Sequence, residues 1–223
     1  MPARTHRNST AFKTAIVLLS MAMLFGGGQG GLGDTLTQLT ALALLGLMLR
    51  HQPDVRRWPK ASRLVFLPVL PLLAFLLPWP DALAESGQAR AQLAELLRPV
   101  IGQWGVQGSL VPHATERALL WLLPALALYL ATLQFSMRKR KTLAAVLLFW
   151  LLVNAVAGLA QRAAGPDSLL YFFANTNKGA AVGLFANANH YAIALAAGLP
   201  LVWASLTWLF NRRAEKPVNP LWF

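Results

Sequence analysis

Apolar residues in this chain gather into long runs, separated by short polar segments rich in arginine and lysine. A bilayer core about 30 Å thick is crossed by roughly 20 mainly apolar helical residues, and the runs approach that length. Six read as helical spans: Thr14–Gly31, Thr35–Leu49, Leu64–Trp79, Ala118–Ser136, Thr142–Ala160 and Tyr191–Phe210. The last three are long and uninterrupted. The second is short, and the third carries Pro68, Pro71 and Pro78. Proline inside a span is tolerated where neighbouring helices or waters satisfy the freed carbonyls. The expected fold is all-α, a polytopic integral membrane protein of about six transmembrane helices in a single domain over residues 1–223. Three spans fall in 1–80, a segment with an interfacial helix in 81–117, two spans in 118–160, an Asn-rich loop in 161–190, a sixth span in 191–210, and an approach to a seventh in 211–223.

The charges between the runs orient them. Loops rich in Lys and Arg stay cytoplasmic. With the N-terminus inside, the inner segments hold Arg4, Arg7 and Lys13; Arg50, Arg56, Arg57, Lys60 and Arg63; Arg138 to Lys141; and Arg212, Arg213 and Lys216, which is 15 of the 20 basic residues. Six of the eight acidic residues fall outside. Four successive inner segments agree, so both ends of the chain are expected in the cytoplasm.

Composition supports the membrane reading: 56% of residues are hydrophobic and 13% charged, with a mean hydropathy of +0.48. Soluble domains carry about 25% charged residues. A net charge of +12 would ordinarily suggest nucleic acid. Its concentration in the inner segments assigns it instead to membrane lipids, the anionic ones of the inner leaflet, and nucleic acid is not an expected partner. The chain has no cysteine, which excludes disulfides, Cys-ligated metals and thiol catalysis. His6, His51, His113 and His190 are far apart and form no i,i+4 pair. No metal site or cofactor is expected.

The start of the chain also has the outline of a secretory signal, with basic residues, an apolar run Ala15–Phe25 and then Gly26–Gly28. No A-x-A cleavage site follows, so an uncleaved anchor is expected. Two outer segments are long enough to carry function. In Asp81–Arg117, Leu93, Leu96, Leu97, Val100, Ile101 and Trp104 recur at helical spacing. That pattern fits a helix in the outer interface with Trp104 at headgroup depth, or an amphipathic helix packed on the spans. In Gln161–His190, Phe-Ala-Asn-x-Asn occurs twice, at Phe173–Asn177 and Phe185–Asn189. Asparagine offers donors and acceptors to hydroxyl-rich ligands. It equally serves turns and helix caps, with Asn187 or Asn189 capping the sixth span.

The stretch Gly183-Leu-Phe-Ala-Asn187-Ala-Asn189-His190-Tyr191-Ala192 resembles the G-x-F-x-N-x-N-[HFY]-x-A motif of the O-antigen ligase/polymerase family. Upstream, Ser109-Leu-Val-Pro112 with Thr115 and Leu119–Leu123 resembles that family's S-x-x-P…T…LL helix entry. Gly158-Leu-Ala-Gln161 and Gly165-Pro166 resemble the turn after the following helix. The ordered blocks cover Ser109–Leu201; the first hundred residues match in hydropathy alone. The resemblance implies a bacterial inner-membrane glycosyltransferase that moves a glycan from undecaprenyl diphosphate to a lipid, glycan or protein acceptor on the periplasmic side, without cofactor.

A departing diphosphate needs cations to meet its developing charge, and arginine is the best fork for phosphate oxygens. The outer cations flanking the Asn-rich loop and opening the fourth span make Arg162, Lys178 and Arg117 the candidate diphosphate contacts, with Asn187, Asn189 and His190 shaping the substrate site. The family's functionally important His lies in a large periplasmic loop of the second half. His190 belongs to the Asn motif and His113 to another loop, so the catalytic His is expected outside this chain, which reads as the front part of a longer enzyme or as a short form. Two further classes stand beside the enzyme: a transporter or flippase-like protein, and a structural membrane subunit binding partner subunits. The spans carry essentially no ionisable residue at mid-membrane, with Asn154 and Gln134 the main polar intruders, which argues against ion coupling.

Overall fold

The computed structural model describes residues 3–25, 31–80, 87, 91–93, 95, 96, 99, 108, 109, 111–173 and 176–214. All regular structure among them is helical: α1 (Ala3–Phe25), α2 (Leu32–His51), α3 (Phe66–Leu76), α4 (Pro112–Gln134), α5 (Met137–Ala164) and α6 (Ala188–Ala214), with 3₁₀ turns at Val55–Arg57 and Lys60–Val65 between α2 and α3. Four of these, Leu32–His51, Pro112–Gln134, Met137–Ala164 and Ala188–Phe210, are long and apolar enough to cross a membrane.

The element boundaries differ from the expected spans for local reasons. The second span gains a turn at its start, where Asp34 sits favourably in the first turn of α2. The fourth begins at Pro112, whose missing N–H costs nothing at the first helical position. The fifth runs on to Ala164, so Gln161 and Arg162 are helical rather than loop residues. The third expected span, Leu64–Trp79, is not one continuous helix. Its first residues form a 3₁₀ turn, and Pro78 forces Leu77 into extended backbone. The 11 residues of α3 rise about 16 Å, too little to cross a bilayer core alone. In α1 the apolar part, Ser9–Phe25, is shorter than a full span, and residues 26–30, into which the expected first span continued, lie outside the described residues. The helix expected within 81–117 falls mostly outside them as well, as does the segment after Ala214.

The core is built where α1, α2 and α4 meet, with the start of α5 closing one end. Ala11 and Ala15 on α1, Ala41 on α2, and Ala127 and Ala131 on α4 are buried together with Leu18, Leu44, Met48, Phe135 and Leu143. Spacing of alanines by four residues on α1 and again on α4 removes side-chain bulk along one stripe of each helix, so backbones approach closely. Between helices in lipid, such packing replaces the hydrophobic drive that water would supply. Large apolar residues point the other way: Leu39, Phe149, Leu159, Ile193, Leu199 and Trp203 are all exposed on the long helices. An outside richer in bulky apolar side chains than the inside is the pattern of a bundle solvated by lipid.

Contacts at one end of the bundle bring the basic segments together. Phe12 of α1 meets Phe135 after α4, edge to face at 5.5 Å. Lys139 lies over both rings, at 5.4 and 5.6 Å. Tyr129 Oη donates to the Ala61 carbonyl at 2.8 Å, which ties the turns between α2 and α3 to the last part of α4. Lys141 lies 5.1 Å over the Trp208 ring, so the end of α6 is here too. Arg140 turns back to donate to the Leu133 and Phe135 carbonyls at 2.8 and 2.9 Å. It thereby satisfies carbonyls that the end of α4 leaves without intrahelical partners. The segments expected on a single side of the membrane therefore share one end of the fold.

Candidate functional site

The opposite end carries the Asn-rich loop between α5 and α6, and α5 holds it with a stripe of buried polar and small residues. Leu151, Asn154, Gly158 and Gln161 are all buried, at the i, i+3, i+7, i+10 spacing of one helix face. Gln161 is 0% exposed and uses its whole amide. Nε2 donates to the Leu170 and Gly183 carbonyls at 2.8 and 2.7 Å. Oε1 accepts from the Val182 and Gly183 N–H groups at 3.0 and 2.8 Å. An amide has two N–H donors and a carbonyl with two lone pairs, so this one is saturated by the loop backbone. Two turns earlier, Asn154, also 0% exposed, donates to its own helix at the Trp150 carbonyl and accepts from the Leu184 N–H at 2.8 Å.

The glycines of this region are required by the close approach. Gly183 has φ +59°, a left-handed conformation that glycine adopts without steric cost. A Cβ there would lie 2.8 Å from Asn154 Oδ1 and 2.9 Å from the Asn154 carbonyl oxygen. Gly158 faces the Tyr191 ring of α6, and a Cβ there would sit 2.7 Å from its Cζ. Beneath the loop, Phe185 packs with Met23 of α1 and Leu151 of α5, while Tyr191 and Leu195 of α6 close the cluster. Trp150 Nε1 donates to Ser20 Oγ at 2.9 Å, which fixes α5 against α1 below the same cluster.

The repeated asparagines act as caps. Asn187 Oδ1 accepts from the Asn189 N–H at 2.7 Å, the N-cap geometry of α6. Asn177, from the first copy of the repeat, accepts from the Ala188 N–H at 3.0 Å. Both copies of Phe-Ala-Asn-x-Asn thus supply an oxygen to the orphan donors that open α6. Asn189 and His190 are exposed on its first turn. Within the loop, Tyr171 Oη donates to the Ala180 carbonyl and accepts from the Gly179 N–H. The Thr176 hydroxyl is buried, with no hydrogen-bond partner among the described residues.

Of the three candidate cations, Lys178 belongs to this loop and Arg162 reaches it from α5. Arg162, exposed at the end of α5, donates from Nη1 to the Gly179 carbonyl at 2.6 Å. That contact brings it beside the residue following exposed Lys178. Arg117 is placed otherwise: on the second turn of α4, its Nη2 meets His113 Nε2 at 3.2 Å. Nδ1 of that imidazole lies 3.6 Å from Glu116 Oε2. At the foot of α4, Ser109 Oγ and Thr115 Oγ1 share a hydrogen bond of 2.8 Å, and Ser109 Oγ accepts from the Val111 N–H. Ser109 and Thr115 therefore close the helix entry on each other around Pro112.

Gln161, Asn154 and Tyr171 were not among the residues singled out from sequence for the site, although they organise it. A signal existed for two of them: polar residues seven apart on an otherwise apolar span, with glycine between, mark a buried polar stripe. Tyr171 carries no such signal. Among the described residues no three His, Asp or Glu side chains converge on a common point. What the arrangement offers chemically is a polar loop hydrogen-bonded from α5, with exposed guanidinium, ammonium, carboxamide and imidazole groups on the loop and on the helix ends that flank it.

These features define an all-helical, multi-pass membrane protein with a polar loop clamped at one end of its bundle. No protein-family model, no curated protein and no solved structure matches the chain.

Proposed function

We propose that this chain is part of a bacterial inner-membrane glycan ligase or polymerase, similar to the O-antigen ligases, that transfers a glycan from undecaprenyl diphosphate to a lipid, glycan or protein acceptor. The observation that carries the reading is the mutual packing of its motif blocks. Gly158 meets Tyr191, and Gln161 binds Val182 and Gly183, while Ser109 binds Thr115. Gly158, Gln161, Gly183, Ser109 and Thr115 are positions that define the blocks in sequence, and each meets a residue within its own block, within another block, or immediately beside one. In this reading the bundle has about six spans with both chain ends in the cytoplasm, α1 and α3 among them. The clamped loop faces the periplasm. Arg162 and Lys178 contact the diphosphate, and Asn187, Asn189 and His190 line the approach of the glycan. Arg117, held beside His113 on α4, is the other cation that supports Arg162.

The role of Arg162 is tested by alanine and lysine substitution in the full-length protein, with glycan transfer assayed in membranes. Arg162→Ala is expected to lower transfer about tenfold or more, as loss of a charge-stabilising donor does. Arg162→Lys keeps charge but loses the fork, and is expected to lie between. Wild-type transfer by Arg162→Ala, with the protein present at normal abundance, overturns the assignment. A second reading, a non-catalytic subunit or flippase-like protein, draws on α6, which packs on α5 while exposing Ile193, Leu199, Trp203 and Phe210. Absence of transfer by the intact wild-type protein, with partner-dependent abundance or lipid scrambling in its place, would favour that reading.

A further inference from the structure

The turns between α2 and α3 carry three arginines and a lysine on a frame that is held in place rather than free to sweep through solvent. Trp58 Nε1 donates to the Gln52 carbonyl at 3.0 Å, and Gln52 Nε2 donates to the Arg57 carbonyl at 3.2 Å. Asp54 Oδ1 accepts from the Arg56 N–H and caps the first turn. Tyr129 pins the second turn through Ala61. Only one of the loop's cations is paired in this frame, Arg57 with Asp54 at 3.0 Å. Arg56, Lys60 and Arg63 are exposed, and among the described residues no carboxylate pairs with them.

The same short segment also exposes large apolar side chains: Val55 and Leu64 are 56% and 54% exposed, and Phe66 follows at 54%. Cations and bulky apolar groups, all exposed, are interleaved along this one hydrogen-bonded segment. The Ser62 hydroxyl in the same segment is buried and has no hydrogen-bond partner among the described residues. Lys139 and Lys141, which face aromatic rings at the same end, add to the positive field.

We infer that the 55–66 segment is a docking surface for anionic phospholipid headgroups of the leaflet at this end of the bundle. Arg56, Lys60 and Arg63 meet phosphate oxygens, while Val55, Leu64 and Phe66 enter the acyl boundary. Charge alone would accept any anion. The interleaved apolar side chains select an anion that carries acyl chains, because exposing them to water beside a free phosphate gains nothing. The frame of hydrogen bonds lowers the ordering cost of binding, since the loop is already fixed. This surface lies at the opposite end from the Asn-rich loop and does not depend on what that loop does.

The test uses the full chain purified in a neutral detergent, its melting temperature followed while phosphatidylglycerol, phosphatidylcholine or inorganic phosphate is added. Phosphatidylglycerol is expected to raise the melting temperature saturably, and the other two to leave it within error. In Arg56→Gln/Lys60→Gln/Arg63→Gln, half-saturation is expected to need about tenfold or more phosphatidylglycerol, consistent with the per-charge attraction of basic residues to anionic membranes. Arg56→Lys/Arg63→Lys preserves charge and should stay within about threefold of wild type. Should the triple variant fail to fold, wild type in rising salt provides the same contrast, because the phosphate contacts are screened and the apolar ones are not. Equal stabilisation by phosphatidylcholine, or by inorganic phosphate, or an unshifted half-saturation in the triple variant or at high salt, overturns the inference.

Discussion

Replacing Gln161 with leucine is expected to release the Asn-rich loop and to destabilise the protein by about 3 kcal/mol or more, since each buried polar group left without a partner costs about 1–3 kcal/mol. The substitution nearly preserves volume, so the effect isolates the amide. Four loop groups lose their partner together: the Val182 and Gly183 N–H groups and the Leu170 and Gly183 carbonyls. Water reaches the Leu170 end more readily than the Gly183 end, where the bonds are buried, so the larger share of the loss falls on the turn that precedes α6. Two measurements check this. Thermal unfolding in detergent should show a clear drop in melting temperature, and trypsin should cut at Lys178 at a concentration that leaves wild type intact. A leucine variant with unchanged melting and unchanged resistance at Lys178 would mean that the loop is held by its own turns and not by α5.

Gly183→Val attacks the same contact from the loop side, and about 3 kcal/mol or more is expected again. Two costs combine. The residue stands at φ +59°, where a side chain with a branched Cβ loses about 1–2 kcal/mol. Its Cβ would also press on Asn154, at 2.8 Å from Oδ1 and 2.9 Å from the carbonyl oxygen. The side chain can turn away, but the carbonyl belongs to α5 and cannot, so the loop must lift and overpacking adds about 1–3 kcal/mol. Because Gln161 binds both the N–H and the carbonyl of Gly183, lifting the loop breaks the clamp as well. The two substitutions should therefore be strongly non-additive: the Gln161→Leu/Gly183→Val variant is expected to be little less stable than either single variant. Full additivity in melting temperatures would mean that the two residues do not act through one shared contact.

The parts of this fold that were legible in sequence are those where one physical requirement dominates. Long apolar runs such as 142–160 and 191–210 have a single helical outcome in a bilayer, and α5 and α6 contain them. The run 64–79 does not, because its prolines impose local backbone that hydropathy does not register: Leu77 is extended before Pro78, and α3 stops at Leu76. The edge of α5 was misplaced by one turn for a related reason. Gln161 and Arg162 look like loop residues by polarity, yet Gln161 is helical because the polar face it presents is buried against backbone rather than exposed to water.

In the site, the doubled Phe-Ala-Asn-x-Asn signalled a structured polar loop, and the capping role weighed for Asn187 is the one its side chain performs. That Asn177 would reach the same helix start could not be read from spacing, since the loop closure that brings 177 beside 188 depends on Tyr171 and Gln161. Nor could the different partners of the two arginines, Arg117 with His113 and Arg162 with the Gly179 carbonyl, because polarity places both on the outer side without saying what each side chain reaches.

The central claim is that the clamped loop and the basic turns lie on opposite sides of one membrane, and the absence of cysteine from the sequence makes it directly measurable. Lys178→Cys and Lys60→Cys, each introduced alone and expressed in a bacterial inner membrane, are exposed to a membrane-impermeant maleimide in intact spheroplasts and again after permeabilisation. Labelling of Lys178→Cys from outside, with Lys60→Cys labelled after permeabilisation alone, is the predicted result. Labelling of both from the same side, or of Lys60→Cys alone in intact spheroplasts, would contradict the account.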